Sequence, residues 1–163
     1  MTILEAREAL DKVTPLSRDC GKLCRAACCK PLAGEEISGM LLFPTEAELY
    51  RGVEGFVLHR VGQGDLCACS GHCDRSTRPL ACRMFPLVPR LVNGKWTAVM
   101  DRRARVVCPL YRRDVSRLDP SFVRAVTAVG EALYADPLQR TFLKRLWAEQ
   151  DEYANLAAMF GAR

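Results

Sequence analysis

Two hydrophobic periods run along the chain. From residue 119 onward the repeat is helical. Asp119-Pro120 reads as an N-cap followed by proline at the first helical position, and Phe122, Val126, Val129 and Leu133 then fall on one face. Asp136-Pro137 repeats the signal ahead of Leu138, Phe142, Leu146, Tyr153, Leu156 and Phe160. The pattern predicts an antiparallel helical pair over residues 118–161, covering the cysteine-rich half of the chain. Its apolar stripe reads first as core and only second as a partner-binding face.

Before that point the apolar runs are shorter and read as strands and short helices. Residues 87–92 and 95–100 flank Asn93-Gly94, and a two-residue turn needs positive φ at both positions, so a β-hairpin is expected. Pro89 must then lie on an edge of the pair. Residues 56–61 read as a further strand. Residues 3–13 suit a short helix with Leu4, Leu10 and Val13 apolar, ended by Pro15. Residues 43–50 suit another, with proline at its start, acids in its first turn and Gly52 at its end. No internal repeat is visible. The expected class is α+β, mostly α, in one domain over residues 1–163: a cysteine-rich region at 18–110 with a hairpin, then the helical pair.

Composition narrows the class. With 49% hydrophobic and 26% charged residues over 163 positions, the chain can bury a core, and disordered, collagen-like and prion-like readings fail. No apolar run approaches the roughly 20 residues that span a bilayer. The first eight residues carry acids where a signal peptide has its basic and apolar regions, so a cytoplasmic location is expected.

Nine cysteines change the picture. An odd number cannot pair completely, and in a reducing cytosol clustered cysteines are more often metal ligands than disulfides. The bland alternative makes them small buried hydrophobes; their clustering among polar residues argues against it. The formal charge of +5 suggests an anionic partner. Four thiolates on Zn²⁺ or on a [4Fe–4S] core would add a net charge of about −2, so part of the basic excess reads as compensation.

The first group is Cys20, Cys24, Cys28 and Cys29; the second is Cys67, Cys69 and Cys73, with Cys82 and Cys108 beyond. Spacings of four put Cys20, Cys24 and Cys28 on one stripe if the segment is helical, and a loop around a metal is equally compatible. Lys22, Arg25 and Lys30 among them favour thiolates. No Cys-x-x-Cys occurs, which removes zinc ribbons, thioredoxin-type motifs, c-type haem attachment and the ferredoxin run. The first group is one residue too long in its second gap for a radical SAM motif, and the chain is too short for that barrel.

Cys20-x₃-Cys24-x₃-Cys28-Cys29, then Arg78-Pro79-Leu80-Ala81-Cys82-Arg83-Met84-Phe85-Pro86, then Cys108-Pro109, resembles the YkgJ-type cysteine-cluster family, described as a zinc- or iron-chelating domain. The Arg-Pro-x-x-Cys-Arg-x-Phe-Pro stretch is its specific part and matches at every fixed position. The resemblance covers roughly residues 18–110. It implies eight metal ligands, Cys20, Cys24, Cys28, Cys29, Cys67, Cys73, Cys82 and Cys108, with Cys69 surplus. Asp74-Arg75-Ser76 replace the family's Ile-Tyr pair after Cys73, a departure beside that ligand. Flagellin lysine methylase carries a similar cysteine pattern, which favours iron–sulfur.

Thiolate-only ligation selects an iron–sulfur cluster, most simply 4Fe-4S, or zinc. Arg78 and Arg83 flank Cys82; they are read as cofactor-binding, donating hydrogen bonds to cluster sulfurs, or alternatively as ordinary salt-bridge partners. Pro79 and Pro86 are expected to fix the turn that presents Cys82. His72 reads as a neighbour of the site before a ligand, and His59 as structural. Arg102, Arg103, Arg105, Arg112, Arg113 and Arg117 form a basic run around Cys108, read first as a solvated face; without interleaved aromatics it makes a poor case for nucleic acid. Motifs of the common enzyme classes are missing. Three readings follow: a redox or protein-partner-binding iron–sulfur module, a structural zinc protein, and an iron–sulfur-dependent modifying enzyme with a pocket near Cys82, Arg78 and Arg83.

Overall fold

The computed structural model describes residues 1–17, 20–30, 39–62, 64–71 and 74–159. The chain is α+β and mostly α. Helix α1 (Ile3–Ala9) opens on a capping box: the Thr2 hydroxyl accepts from the Glu5 amide at 3.2 Å, and the Glu5 carboxylate accepts from the Thr2 amide at 2.8 Å. It ends four residues earlier than its sequence suggests. Its inward face is Ile3, Ala6 and Leu10, while Leu4 turns outward.

Next come α2 (Cys20–Cys24), a 3₁₀ turn at Ala27–Cys29 and a short strand β1 (Met40–Leu41). Where residues 43–50 predict a helix, only a 3₁₀ turn forms, Glu46–Leu49, entered through Thr45 at φ 72°. The acid expected on an exposed first turn, Glu46, is instead fully buried. Strands β2 (Phe56–Val61) and β3 (Gly64–Cys69) complete an antiparallel sheet of order β1-β3-β2. Helix α3 (Leu80–Met84) follows.

Strands β4 (Leu87–Val92) and β5 (Lys95–Met100) form the expected hairpin, with Asn93 and Gly94 at φ 50° and 75°. Helix α4 (Ala104–Val107) and two 3₁₀ turns lead to α5 (Pro120–Tyr134) and α6 (Pro137–Met159). The Asp119 carboxylate accepts from the Ser121 amide at 2.8 Å and that of Asp136 from the Leu138 amide at 2.8 Å, so both caps form as read.

Helix α5 buries Phe122, Val126, Val129 and Leu133 across the hairpin, each worth about 1.5–3 kcal/mol of burial. The approach is close: a Cβ on Gly130 would lie 2.0 Å from Pro89 Cβ. Helix α6 is fastened to the same hairpin. Trp147 Nε1 donates to Pro89 O at 2.8 Å, Asp151 pairs with Arg90, and the Gln150 side chain donates to Asp101 at 2.7 Å. Trp96, Tyr134 and Trp147 close the joint, with Trp147 stacked on Tyr134 at 5.8 Å. The two helices therefore cover the hairpin rather than the cysteines. Of the stripe expected on α6, Phe142 and Leu146 are buried, Leu138, Tyr153 and Leu156 are exposed, and Phe160 lies outside the described residues.

The main core draws Ile3, Leu10, Phe43, Leu80, Leu87, Leu110 and the inner faces of α5 and α6 into one cluster; a smaller one gathers Leu42, Ala47, Tyr50 and Cys67. Among the described residues no helix is long and apolar enough to cross a membrane.

Candidate functional site

Helix α2 is a single turn, so Cys20 and Cys24 stand at its two ends on one side, and the Cys24 thiol points back to Cys20 O at 3.7 Å. The helix stops by a backbone reversal. Arg25 and Ala26 both take left-handed φ, 53° and 54°, and the Ala26 amide bonds Gly21 O at 2.9 Å, the six-to-one bond of a Schellman ending. Arg25 occupies the position glycine usually fills there, at a cost of about 1–2 kcal/mol. The reversal brings Cys28 and Cys29 back beside the helix on the turn Ala27–Cys29.

The sheet supplies two more thiols. On β3, Cys67 pairs with Met40 on one side and Leu58 on the other, and Cys69 pairs with Phe56. Two residues apart on a strand, both face the same way. Gly39 packs against this strand so closely that a Cβ there would lie 2.6 Å from Cys67 O. Cys82 is carried by α3, directly after Pro79 at the N-cap and ahead of a cis Phe85–Pro86 bond. Cys108 closes α4, its amide donating to Ala104 O at 2.8 Å and its carbonyl accepting from the Tyr111 amide at 3.0 Å.

These stretches meet. Cys20, Cys24, Cys28, Cys29, Cys67, Cys69, Cys82 and Cys108 all line one cavity of about 80 Å³, walled otherwise by apolar residues such as Met40, Phe56, Phe85 and Leu110. That is several times the roughly 10–15 Å³ one water requires. Cys73 and His72, which the sequence also put forward, lie outside the described residues. Cys69, read as surplus, lines the cavity beside Cys67. Alternation in Cys67-x-Cys69 within a strand was the signal for it. His59 stands on β2 opposite Leu66, away from the lining.

The two arginines beside Cys82 part company. Arg78 lines the cavity. Arg83 is buried away from it: its Nε donates to Arg78 O at 3.0 Å, Nη1 to Arg7 O at 3.1 Å and to Asp11 at 2.8 Å, and Nη2 to Ser76 O at 2.8 Å. With its donors taken up by backbone and an acid, Arg83 is a clamp on the end of α1, as the salt-bridge reading had it, and does not face a cofactor. Arg75 reinforces the clamp by donating to Leu10, Asp11 and Val13 carbonyls. The basic run is also divided. Arg103 chelates buried Asp101 through Nε and Nη2, while Arg102, Arg112 and Arg113 are exposed.

The thiols interact electrostatically. Cys28 is held well above its ordinary value, first by its hydrogen bond with Cys29, then by burial and by the charges of Cys29, Cys24 and Cys82. Burial raises Cys108, against the Leu110 and Tyr111 amides, with the Cys24 charge adding to the rise. Thiols crowded into one apolar cavity resist ionising together unless a cation joins them. As a donor set they suit soft metals. In spacing, Cys28 Sγ and Cys29 Sγ lie 4.0 Å apart, near the roughly 3.8 Å that tetrahedral zinc with Zn–S of about 2.3 Å sets between two sulfurs. Among the described residues no three Cys, His, Asp or Glu side chains converge on a single ion. The remaining thiols are spread around the cavity wall, an arrangement with room for a group larger than one ion.

No family model, no curated protein and no solved structure matches the chain.

Proposed function

We propose that the chain is a cysteine-ligated metal-binding protein of the YkgJ type, carrying an iron–sulfur cluster and serving as a redox or partner-binding module in a reducing, cytoplasmic setting. The observation that carries this reading is the gathering of eight thiols, from four separate stretches of sequence, around one cavity. A cluster keeps its anchoring thiolates further apart than one ion does, because iron and sulfide lie between them. The four thiolates that a cubane takes would be drawn from Cys20, Cys24, Cys28, Cys29, Cys67, Cys69, Cys82 and Cys108, with Cys73 added by the resemblance. When bound, such a cluster supplies one-electron chemistry at a potential set by burial and neighbouring donors. The chain's own contribution is a largely apolar wall around the thiols, with Arg78 as the cation in that wall.

Zinc is the second reading, favoured by the Cys28–Cys29 spacing. Iron, zinc and acid-labile sulfide analysis with an absorption spectrum, on anaerobically purified protein, separates them. Iron and sulfide near four per chain with a broad band near 400 nm is the expected result for a cubane cluster, all order-of-magnitude values. One or two zincs without a visible band overturns it in favour of a structural zinc protein, and a metal-free chain overturns both.

A further inference from the structure

The net positive charge has a location. Residues 20–30 and 102–113 hold eight of the chain's 24 basic residues and none of its 19 acids. The acids that directly flank the two segments are Asp19, Asp101 and Asp114, and Asp101 is paired with Arg103. The two segments are neighbours in space, since α4 packs on the turn Ala27–Cys29 and both segments contribute to the cavity wall.

Charge compensation for thiolates does not account for these cations. Among the described residues lining the cavity, the basic one is Arg78. Lys22, Arg25, Lys30, Arg102, Arg112 and Arg113 are exposed and absent from its wall. The same two segments carry two exposed apolar side chains, Leu23 at 57% and Val106 at 60%. Leu23 also lines the cavity, so this apolar spot reaches the thiols from outside.

We propose that the exposed basic residues of these two segments, with Leu23 and Val106, dock an acidic protein partner over the cavity. The inference rests on reading the cavity as a metal centre that works with a partner, and it adds the partner's chemistry: an acidic surface with an apolar centre. Opposite charge steers the encounter, and the small apolar spot seats a transient contact of the kind electron-transfer proteins make. A nucleic acid is the weaker match. The two segments carry a single aromatic, Tyr111, which is half-buried and bonded to Arg102, so no base-stacking platform is offered.

Calorimetric titration of the protein as purified, with flavodoxin as an acidic one-electron carrier and a short oligouridylate as the rival polyanion, tests this. Flavodoxin binding is expected to weaken by about tenfold between about 50 and 300 mM salt. Lys22→Glu/Lys30→Glu should weaken it by about tenfold at low salt, and Leu23→Ser by about threefold. Arg112→Glu/Arg113→Glu, on the other segment, should repeat the loss and serves if the first variant misfolds. No saturation below about 1 mM flavodoxin, insensitivity to both charge reversals, or tighter binding of the RNA overturns the inference. Metal content measured on the same sample keeps the two readings apart: binding by a metal-free chain sinks the metal centre alone, and a loaded chain that does not bind sinks the docking face alone.

Discussion

Glu46 accepts a hydrogen bond from the Leu80 amide at 2.6 Å, so a fully buried carboxylate ties off the helix that carries Cys82. Its other oxygen accepts from the Phe43 amide at 3.2 Å. Pro79, at the N-cap of α3, offers no side-chain bond, and Glu46 supplies what a capping residue would.

Removing that carboxylate leaves two buried amides without acceptors. Glu46→Ala is expected to cost about 2–4 kcal/mol in chemical denaturation, and Glu46→Gln, which keeps one acceptor, about half as much. Burial raises the Glu46 carboxyl, against the Leu80 and Phe43 amides and the charges of Arg7 and Arg83. A carboxyl whose folded value lies above its unfolded one favours the fold while protonated and loses that contribution as pH rises through the folded value. Wild type should therefore lose ground to Glu46→Gln with rising pH; a flat difference would show that burial does not raise this group.

Arg25 holds a left-handed conformation where glycine is the usual residue. Arg25→Gly should leave stability unchanged or raise it by up to about 1 kcal/mol, whereas Arg25→Val should cost about 1 kcal/mol or more. Glycine normally weakens a chain, so a thermal melt showing Arg25→Gly clearly less stable would contradict the reversal described between Cys24 and Cys28.

Gly130 has no room for a side chain against Pro89. Gly130→Ala must push α5 off the hairpin, with an expected loss of about 3 kcal/mol. Pro89→Gly, which removes the clashing Cβ, should recover part of it in the same background, and a double-mutant cycle showing simple additivity would remove the contact from the account.

Cys69 shares a face of β3 with Cys67, and both line the cavity. If the cavity holds metal as proposed, Cys69→Ser and Cys67→Ser should each weaken its retention against a competing chelator by about tenfold or more. Full retention in Cys69→Ser alone would restore it to the surplus role its sequence position suggested.

Because Cys28 and Cys108 are raised, they carry protons near neutrality when no metal is bound, and a cation must expel them. Apparent metal affinity should climb by about tenfold or more per pH unit between about pH 6 and 8. A pH-independent affinity would mean that the thiols are already ionised.

Local signals in the sequence carried far. Asn93-Gly94 located the hairpin, Asp119-Pro120 and Asp136-Pro137 located two caps, and residues 56–61 are the strand they suggest. These features depend on neighbours along the chain. What depended on distant neighbours was not legible. Glu46 looked like a first-turn acid because nothing nearby announces the Leu80 amide 34 residues away. Arg83 looked like a cofactor ligand because it stands beside Cys82, and only the packing of α1 shows where its donors go. The cysteines were legible as a donor set. Their convergence was not, since spacing along α2 and β3 says nothing of how those elements face each other.

The cavity recruits from stretches of chain separated by long intervals, 38 residues from Cys29 to Cys67 and 26 from Cys82 to Cys108. A metal held across them, as proposed, would act as a multi-point staple, and its removal would return loop entropy to these segments. The strands of the hairpin and the helices α5 and α6 carry no cysteine, and their inner faces belong to the main core together with Ile3, Leu10, Phe43, Leu80 and Leu110. Stripping the metal should therefore loosen the segments around residues 20–30 and 64–71 while amides in α5 keep their protection against hydrogen exchange. On the proposed reading, loss of metal would then be felt first as a local change of state at the cavity.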